Sequence, residues 1–363
     1  MKLLSKYVEF KNGKKRPTSK GTIPVYGGNG ILDYTNTANM QSGVVIGRVG
    51  VYCGSVFLVR EECWVSDNAI KAMCKENMDL GYLYYLLSSL HLNERRIGTS
   101  QPLLTQNILN NIEVEIPELA IQKRISSILE LFDEKIKLNN KINNNLEQQA
   151  QAYFDELFVV NADPNWSECT LSDIGSVVAG GTPSKSKPEY YADQGIAWIT
   201  PKDLSVNKSK FISHGENDIS ELGFSKSSAA KMPAGTILFS SRAPIGYIAI
   251  AQNEVTTNQG FKSVIPNENI STAYMYFLLK NLLPTIEGMA SGSTFKEISG
   301  TAMKSVPTVM PDADTIRLFS SFCEPVFKEQ EILEAENQHL SALRDSLLPK
   351  LMSGELDVSN IEL

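Results

Sequence analysis

Histidine is almost missing from this 363-residue chain: only His91, His214 and His339 occur, none with an HxxxH or HxH partner. Cysteine is sparse too. Cys53, Cys63, Cys74, Cys169 and Cys323 are an odd number, scattered and never in a CxxC pair. The ligand spacings that hold zinc are therefore absent, and unpaired thiols of this kind suit a reducing cytoplasm, so no metal is expected. No serine sits in a GxSxG turn and no GxxxxGK[ST] loop exists, which removes the nucleophile elbow and the P-loop. The glycines of Tyr26–Gly30 lack the strand-to-helix setting and the lysine of a phosphate loop, so they read as a turn. Nor is there an Asn/Asp-Pro-Pro-aromatic motif for amino-methylation; Asp163-Pro-Asn-Trp166 only looks similar. Long apolar runs are missing as well. The longest, such as Ile245–Ala251, fall far short of the roughly 20 residues of a membrane helix. The opening Met1-Lys-Leu-Leu-Ser-Lys has no apolar core behind it, so no signal peptide is expected. With no chemistry in view, the chain is expected to be a non-catalytic binding protein with no cofactor of its own.

Positive charge is also short, which at first argues against nucleic acid. The net charge is −7, whereas phosphate binding calls for a basic surface. The distribution weakens the objection. Residues 312–363 hold eleven acids against four bases and so carry the whole excess, while residues 1–311 hold 30 of each. The first twenty residues are basic, with Lys2, Lys6, Lys11, Lys14, Lys15, Arg16 and Lys20 against Glu9. Either run also reads as an ordinary solvated face.

What is present is a repeat with a period near 190 residues. Leu4-Ser5 and Gly13 match Leu171-Ser172 and Gly180; Ser66–Met73 matches Thr257–Val264; Tyr82–Leu87 matches Tyr274–Leu279; Pro117 matches Pro311. Order and spacing are kept throughout, and the front of the first copy is about 24 residues shorter. Each copy opens with short β-rich runs bounded by glycine and proline: Gly43–Ile46 and Ser55–Val59 in the first, Thr236–Phe239 and Gly246–Ala251 in the second. An apolar helix follows, Leu80–Leu90 or Ala273–Leu282. Each copy ends in one long helix. Ile125, Phe132, Asn139, Leu146 and Tyr153 recur every seven residues, with Ile121, Ile128, Ile142 and Gln149 as the companion line. Phe319, Val326, Leu333, Leu340 and Leu347 do the same, with Gln330, Asn337 and Arg344 beside them. A sustained seven-residue repeat marks a coiled-coil seam. As duplicates, the helices are expected to pair with each other antiparallel as a rigid spacer, and polar seam residues to fix register.

The ordered motifs of the second copy resemble the target-recognition domain of type I restriction–modification specificity subunits. They are Val178–Ser184, Ile196–Leu204, Gly235–Gly246, Thr257–Lys262 and Ala290–Phe295. The first copy resembles the family's other common variety through Ile23–Ile31, Val45–Gly50 and Trp64–Ala69. Glu118–Ile125 and Glu134–Asn139 are similar to the spacer regions. The resemblance spans essentially the whole chain. It implies an α+β fold with two mixed α/β target-recognition domains, at 1–117 and 161–311. Two long antiparallel coiled-coil helices, at 118–160 and 312–354, separate them in a pseudo-two-fold duplication, with a tail at 355–363. It also implies double-stranded DNA as ligand, read as a split asymmetric site, and two methyltransferase subunits as partners, with restriction subunits as optional additions. S-adenosylmethionine would sit in the methyltransferase. A non-DNA coiled-coil adaptor and a stand-alone DNA methyltransferase are the rival readings.

Base reading calls for Arg toward guanine and Asn or Gln toward adenine, while Lys, Ser and Thr set register on phosphate. Loops after strands supply such residues. In the first domain the candidates are Asn29, Arg48, Asn68, Thr99, Ser100 and Gln101. In the second they are Thr182, Ser184, Lys185, Lys202, Ser241, Arg242, Asn258, Gln259, Ser293, Thr294 and Lys296. Each also reads as a turn residue satisfying local backbone, above all Thr182–Ser184 and Asn258-Gln259. Arg48 and Arg242 stand out because the repeat places them in equivalent positions after strands.

Overall fold

Tandem duplication dictates two units, and the computed structural model, which describes residues 1–98, 102–292, 296–359 and 361, has them. The chain divides into one unit of residues 1–137 with 337–363 and another of residues 138–336. Each long helix, Leu119–Asp155 and Ala313–Ser353, contributes part of its length to each unit.

The first unit is built on a four-stranded antiparallel sheet in the order Val8–Asn12, Ala69–Cys74, Gly43–Gly47, Val56–Val59. A smaller sheet of Gly30–Thr35, Ile23–Gly27 and Trp64–Val65 stands beside it. The continuous apolar run Gly43–Gly47 is buried along its whole length, as a central strand covered on both faces must be. The helix Leu80–Ser89 covers one face. It starts where the Asp79 carboxylate accepts the Tyr82 N–H at 2.8 Å, satisfying an otherwise orphan donor. Tyr82, Leu83 and Leu87 of this helix are fully buried against Ile46 and Ile70. Leu347, Leu348 and Leu351 share that core with Ile121, Ile125 and Leu129, and Arg344 pairs with Asp133. The two helix segments of this unit therefore run antiparallel. Val358 closes the same core.

The second unit repeats the plan with additions. Its main sheet runs Gly175–Ala179, Lys262–Pro266, Ile237–Ser241, Ile245–Ala251, Phe211–Ile212, the last strand parallel to its neighbour. The second sheet orders Tyr191–Ala192, Asn217–Ile219, Ile196–Ile199 and Thr256–Thr257. Ser271 caps the covering helix Thr272–Asn281, in the place Asp79 takes in the first unit. An aromatic cluster fills the core, with Phe154, Phe158, Tyr274, Phe277 and Phe319 in mutual ring contact. Here too the helix segments are antiparallel: Asn139 meets Glu336, Gln330 meets the Asn143 carbonyl, and Tyr153 meets Phe319.

The heptad line Ile125 to Tyr153 packs as expected, but its companion does so only at its start, where Ile121 and Ile128 join the first unit's core. Ile142 and Gln149 are exposed, and Leu129, Asn143 and Ala150 face inward instead. One step along a helix turns a side chain by about 100°, so either companion spacing fits the heptad on paper. On the C-terminal helix the inward companions are Ile316, Cys323, Gln330 and Leu351. The polar seam is real: Asn139 is wholly buried and Gln330 nearly so.

The structure also corrects the register of the repeat by one residue. A Cβ on Gly13 would lie 1.9 Å from the Ser66 carbonyl oxygen, and one on Gly180 would lie 2.1 Å from that of Asn258. Both glycines are thus demanded by close backbone approach. Asn12 pairs with Ile70 as Ala179 pairs with Lys262, and Val44 with Ala72 as Ile237 with Val264. Ser66 therefore corresponds to Asn258, not to Thr257. The sequence match had slipped by one because it carries no gap to mark the shift.

Candidate nucleic-acid interface

The corrected register decides which residues occupy the same place in the two units. The Leu104 N–H donates to the Arg48 carbonyl at 2.9 Å, and the Ile298 N–H to the Ser241 carbonyl at 3.1 Å. The Arg48 N–H donates to Asn68 and the Ser241 N–H to Gly260. Arg48 is thus the counterpart of Ser241, and Val49 that of Arg242. The expected equivalence of Arg48 and Arg242 does not hold. They lie on neighbouring positions, one residue apart along the same strand exit.

In the first unit the structure gathers three predicted residues. Asn29 is exposed in the two-residue turn between Ile23–Gly27 and Gly30–Thr35, where Gly30 takes the left-handed φ of +84°. The adjoining Gly28 lies against Gly47 and the Asn68 carbonyl, so this tip sits beside Arg48 and Asn68. Asn68 is exposed in its own turn. Arg48 is half-buried, and its Nε is buried with no hydrogen-bond partner. Burying a guanidinium donor unpaired is unfavourable, which sets this arginine apart from the exposed Asn29 and Asn68 beside it. Thr99, Ser100 and Gln101 lie outside the described residues.

The second unit gathers more. The Thr182 hydroxyl donates to the Gln259 side-chain oxygen, and the Asn258 carboxamide oxygen accepts the Gly260 N–H at 2.8 Å. Asn258 is therefore committed to its own turn. Ser241 is fully buried, its hydroxyl on the Gly260 carbonyl at 3.1 Å, so it shapes the site from beneath. Arg242 emerges next, 3.3 Å from a Glu297 carboxylate oxygen, and the same carboxylate lies 3.7 Å from the Lys262 ammonium. Ser184 and Lys185 are exposed on the turn before Pro188, with the Ser184 and Ser186 hydroxyls bonded to each other. Lys202 is exposed and paired with Glu216, which holds its ammonium above the ordinary lysine range. Lys296 is exposed beside Glu297. Ser293 and Thr294 lie outside the described residues.

Lys262 and Glu297 escaped the sequence reading. Lys262 lay inside a strand and Glu297 carried the wrong charge for a phosphate site, so neither matched the pattern sought. The backbone bridge between Arg242 and Glu297 joins residues 55 positions apart, which no local motif signals.

Among the described residues no group of three or more His, Cys, Asp or Glu side chains is placed to hold a metal ion. No described helix is long and apolar enough to cross a membrane.

The sequence matches the family described as "Type I restriction modification DNA specificity domain" twice, over residues 8–148 and 164–342. The chain belongs to the type I restriction–modification specificity-subunit family. The two matches follow the duplication seen in the fold. A type I restriction enzyme MjaIX specificity subunit from Methanocaldococcus jannaschii is 38% identical over 190 residues, covering 50% of this chain and 44% of that protein. The HindI specificity subunit of Haemophilus influenzae is 25% identical over 339 residues, covering 72% of this chain and 73% of its own. The first of these alignments thus spans less than half the relative's length. The crystal structure of a type I restriction–modification S subunit from M. genitalium superposes with a TM-score of 0.66. It is 18% identical, covering 99% of this chain and 96% of that one, a likeness of fold. Specificity subunits are non-catalytic, so the family carries the conclusion that this chain is not an enzyme.

Proposed function

We propose that this specificity subunit reads a two-part, asymmetric site on double-stranded DNA, one half with each unit. It also docks two methyltransferase subunits, and restriction subunits can join. The observation that carries this reading is one backbone scheme bearing two different sets of side chains. At matching positions the first unit has Arg48, Val49, Ile70 and Leu103, and the second has Ser241, Arg242, Lys262 and Glu297. One scaffold used twice supports two half-sites. Unlike chemistry on it supports unlike halves.

Asn29, Arg48 and Asn68 in the first unit, and Thr182, Ser184, Lys185, Lys202, Arg242, Gln259 and Lys296 in the second, are the described residues offered to DNA. Ser241 and Asn258 support them. Thr99, Ser100, Gln101, Ser293 and Thr294 complete the assignment on sequence grounds. The helices set the number of base pairs between the halves and carry the partner surfaces, with S-adenosylmethionine bound by the methyltransferase.

The test is a map of methylated adenines in cells with and without the gene. A bipartite motif that disappears with the gene is expected. Arg242→Ala should abolish recognition of one half while the complex still assembles, and unaltered methylation by that variant would remove Arg242 from the site. A methylome indifferent to the gene would favour an adaptor with no DNA role.

A further inference from the structure

Three ionic groups meet where the strand Ile237–Ser241 ends, and the backbone that carries them does not need their charge. Glu297 closes two bridges, to Ser291 and to Arg242; Leu103 closes the same two in the first unit, to Ile97 and to Val49. There the three matching positions are Val49, Ile70 and Leu103, all apolar. A scaffold that closes equally well on three apolar side chains gives no folding reason for an arginine, a lysine and a glutamate.

Nor do the contacts lock one another. Glu297 reaches Arg242 through a single contact at 3.3 Å and Lys262 at 3.7 Å, and the Arg242 and Glu297 side chains are 40% and 37% exposed. Pairs this exposed contribute little to stability. Lys262 is 10% exposed, and its ammonium has the Gln259 carbonyl at 3.4 Å and the Ser241 hydroxyl at 3.5 Å as further acceptors. It therefore remains partnered if the carboxylate turns away.

A carboxylate between two cations on a DNA-reading surface has a definite consequence. It repels the phosphates of every duplex alike, whatever the sequence. It is compensated only where a base edge turns an amino group toward it, as cytosine N4 or adenine N6 does in the major groove. Raising the free energy of wrong partners is as effective for discrimination as lowering that of the right one. We propose that Glu297 is a specificity-determining residue of the second unit, penalising DNA in general and tolerated at one base pair that donates a hydrogen bond to it. This rests on the reading of that unit as a DNA-binding domain.

Glu297→Gln removes the charge and keeps the shape. Co-produced with the cognate methyltransferase subunits, this variant is expected to methylate a motif relaxed at one base of one half-site, the other half unchanged. The purified full-length variant should bind a random-sequence duplex several-fold more tightly at low salt. Glu297→Leu, a side chain this bridge already accommodates at position 103, should relax the same base and guards against a folding artefact. Unchanged motif and unchanged random-duplex affinity in both variants would overturn the proposal. So would loss of methylation with weaker random-duplex binding, which would make Glu297 a holder of Arg242 instead. If the parent complex itself methylates no bipartite motif, the DNA-reading function falls and the Glu297 proposal with it. A parental motif retained by Glu297→Gln removes only the role of Glu297.

Discussion

Cys63 and Cys323 are fully buried, and burial pushes their thiols up to about 11 and about 12; burial likewise pushes the Tyr82 phenol up to about 12. In the unfolded chain these groups ionise near 9 and 10. Their folded values are therefore raised, so the contribution to stability is complete below about pH 9 and is lost as pH climbs toward 12. Each such group removes about 1.4 kcal/mol per pH unit within that window. Urea midpoints should hold steady from pH 7 to pH 8.5 and fall steeply by pH 11. A flat profile across that range would contradict the burial. At this scale the sequence was legible in kind and blind in place. It named arginine and amide side chains after strands, and Arg48, Asn68 and Arg242 do lie there. It set Arg48 opposite Arg242 because a one-residue slip leaves the resemblance of Ser66–Met73 to its partner nearly intact. In a strand the same slip turns every side chain to the other face.

Elements were easier to read than their contacts. The helix pair followed from seven-residue periodicity, since a repeat that long has few structural solutions. The junction between these helices and the second unit's sheet was not legible, because its members come from four separate stretches of chain. Lys210, just before the edge strand Phe211–Ile212, is buried with its ammonium on Glu147 and 2.6 Å from the Gln330 side-chain oxygen, and 4.1 Å from the centre of the Phe327 ring. Its backbone N–H and that of Phe211 donate to Glu334. Burial works to raise the Glu147 carboxyl, but Lys210 and Lys280 outweigh it and hold the group below its ordinary range. At Glu334 burial, with the Glu147 charge adding to it, outweighs the Lys210 and Phe211 contacts, and the carboxyl is raised. Removing one member of a buried ion pair strands the other, at about 3–5 kcal/mol. Lys210→Met leaves Glu147 with Lys280 as its remaining partner, so it should lower the unfolding free energy by less than that, and adding Glu147→Met should recover part of the loss, because Lys280 reaches solvent more readily. Equilibrium urea denaturation decides the matter. A Lys210→Met chain as stable as the parent would show that the aromatic rings, not the charge, hold this corner.

For the molecule as a whole, the proposed function makes charge the property that decides how DNA is met. The two proposed half-sites rest on the duplication, but the surplus of eleven acids over four bases in residues 312–363 leaves the chain at −7. Nonspecific duplex binding comes from phosphate neutralisation, and its salt dependence counts the cations engaged. A chain whose first 311 residues are electrically balanced engages few phosphates at once. The full chain alone is therefore expected to retard a short duplex only weakly at about 50 mM salt and not at all at about 200 mM, a range over which a protein with six or more phosphate contacts loses about a thousandfold in affinity. On the proposed function the partners supply the missing cations, so with methyltransferase subunits added binding should survive the higher salt. Electrophoretic mobility shifts across a salt series, with and without the partner, distinguish the cases. Tight binding by the lone chain at about 200 mM salt would mean that a concentrated basic surface exists despite the balance of charge, and that the partner's role is catalysis rather than grip.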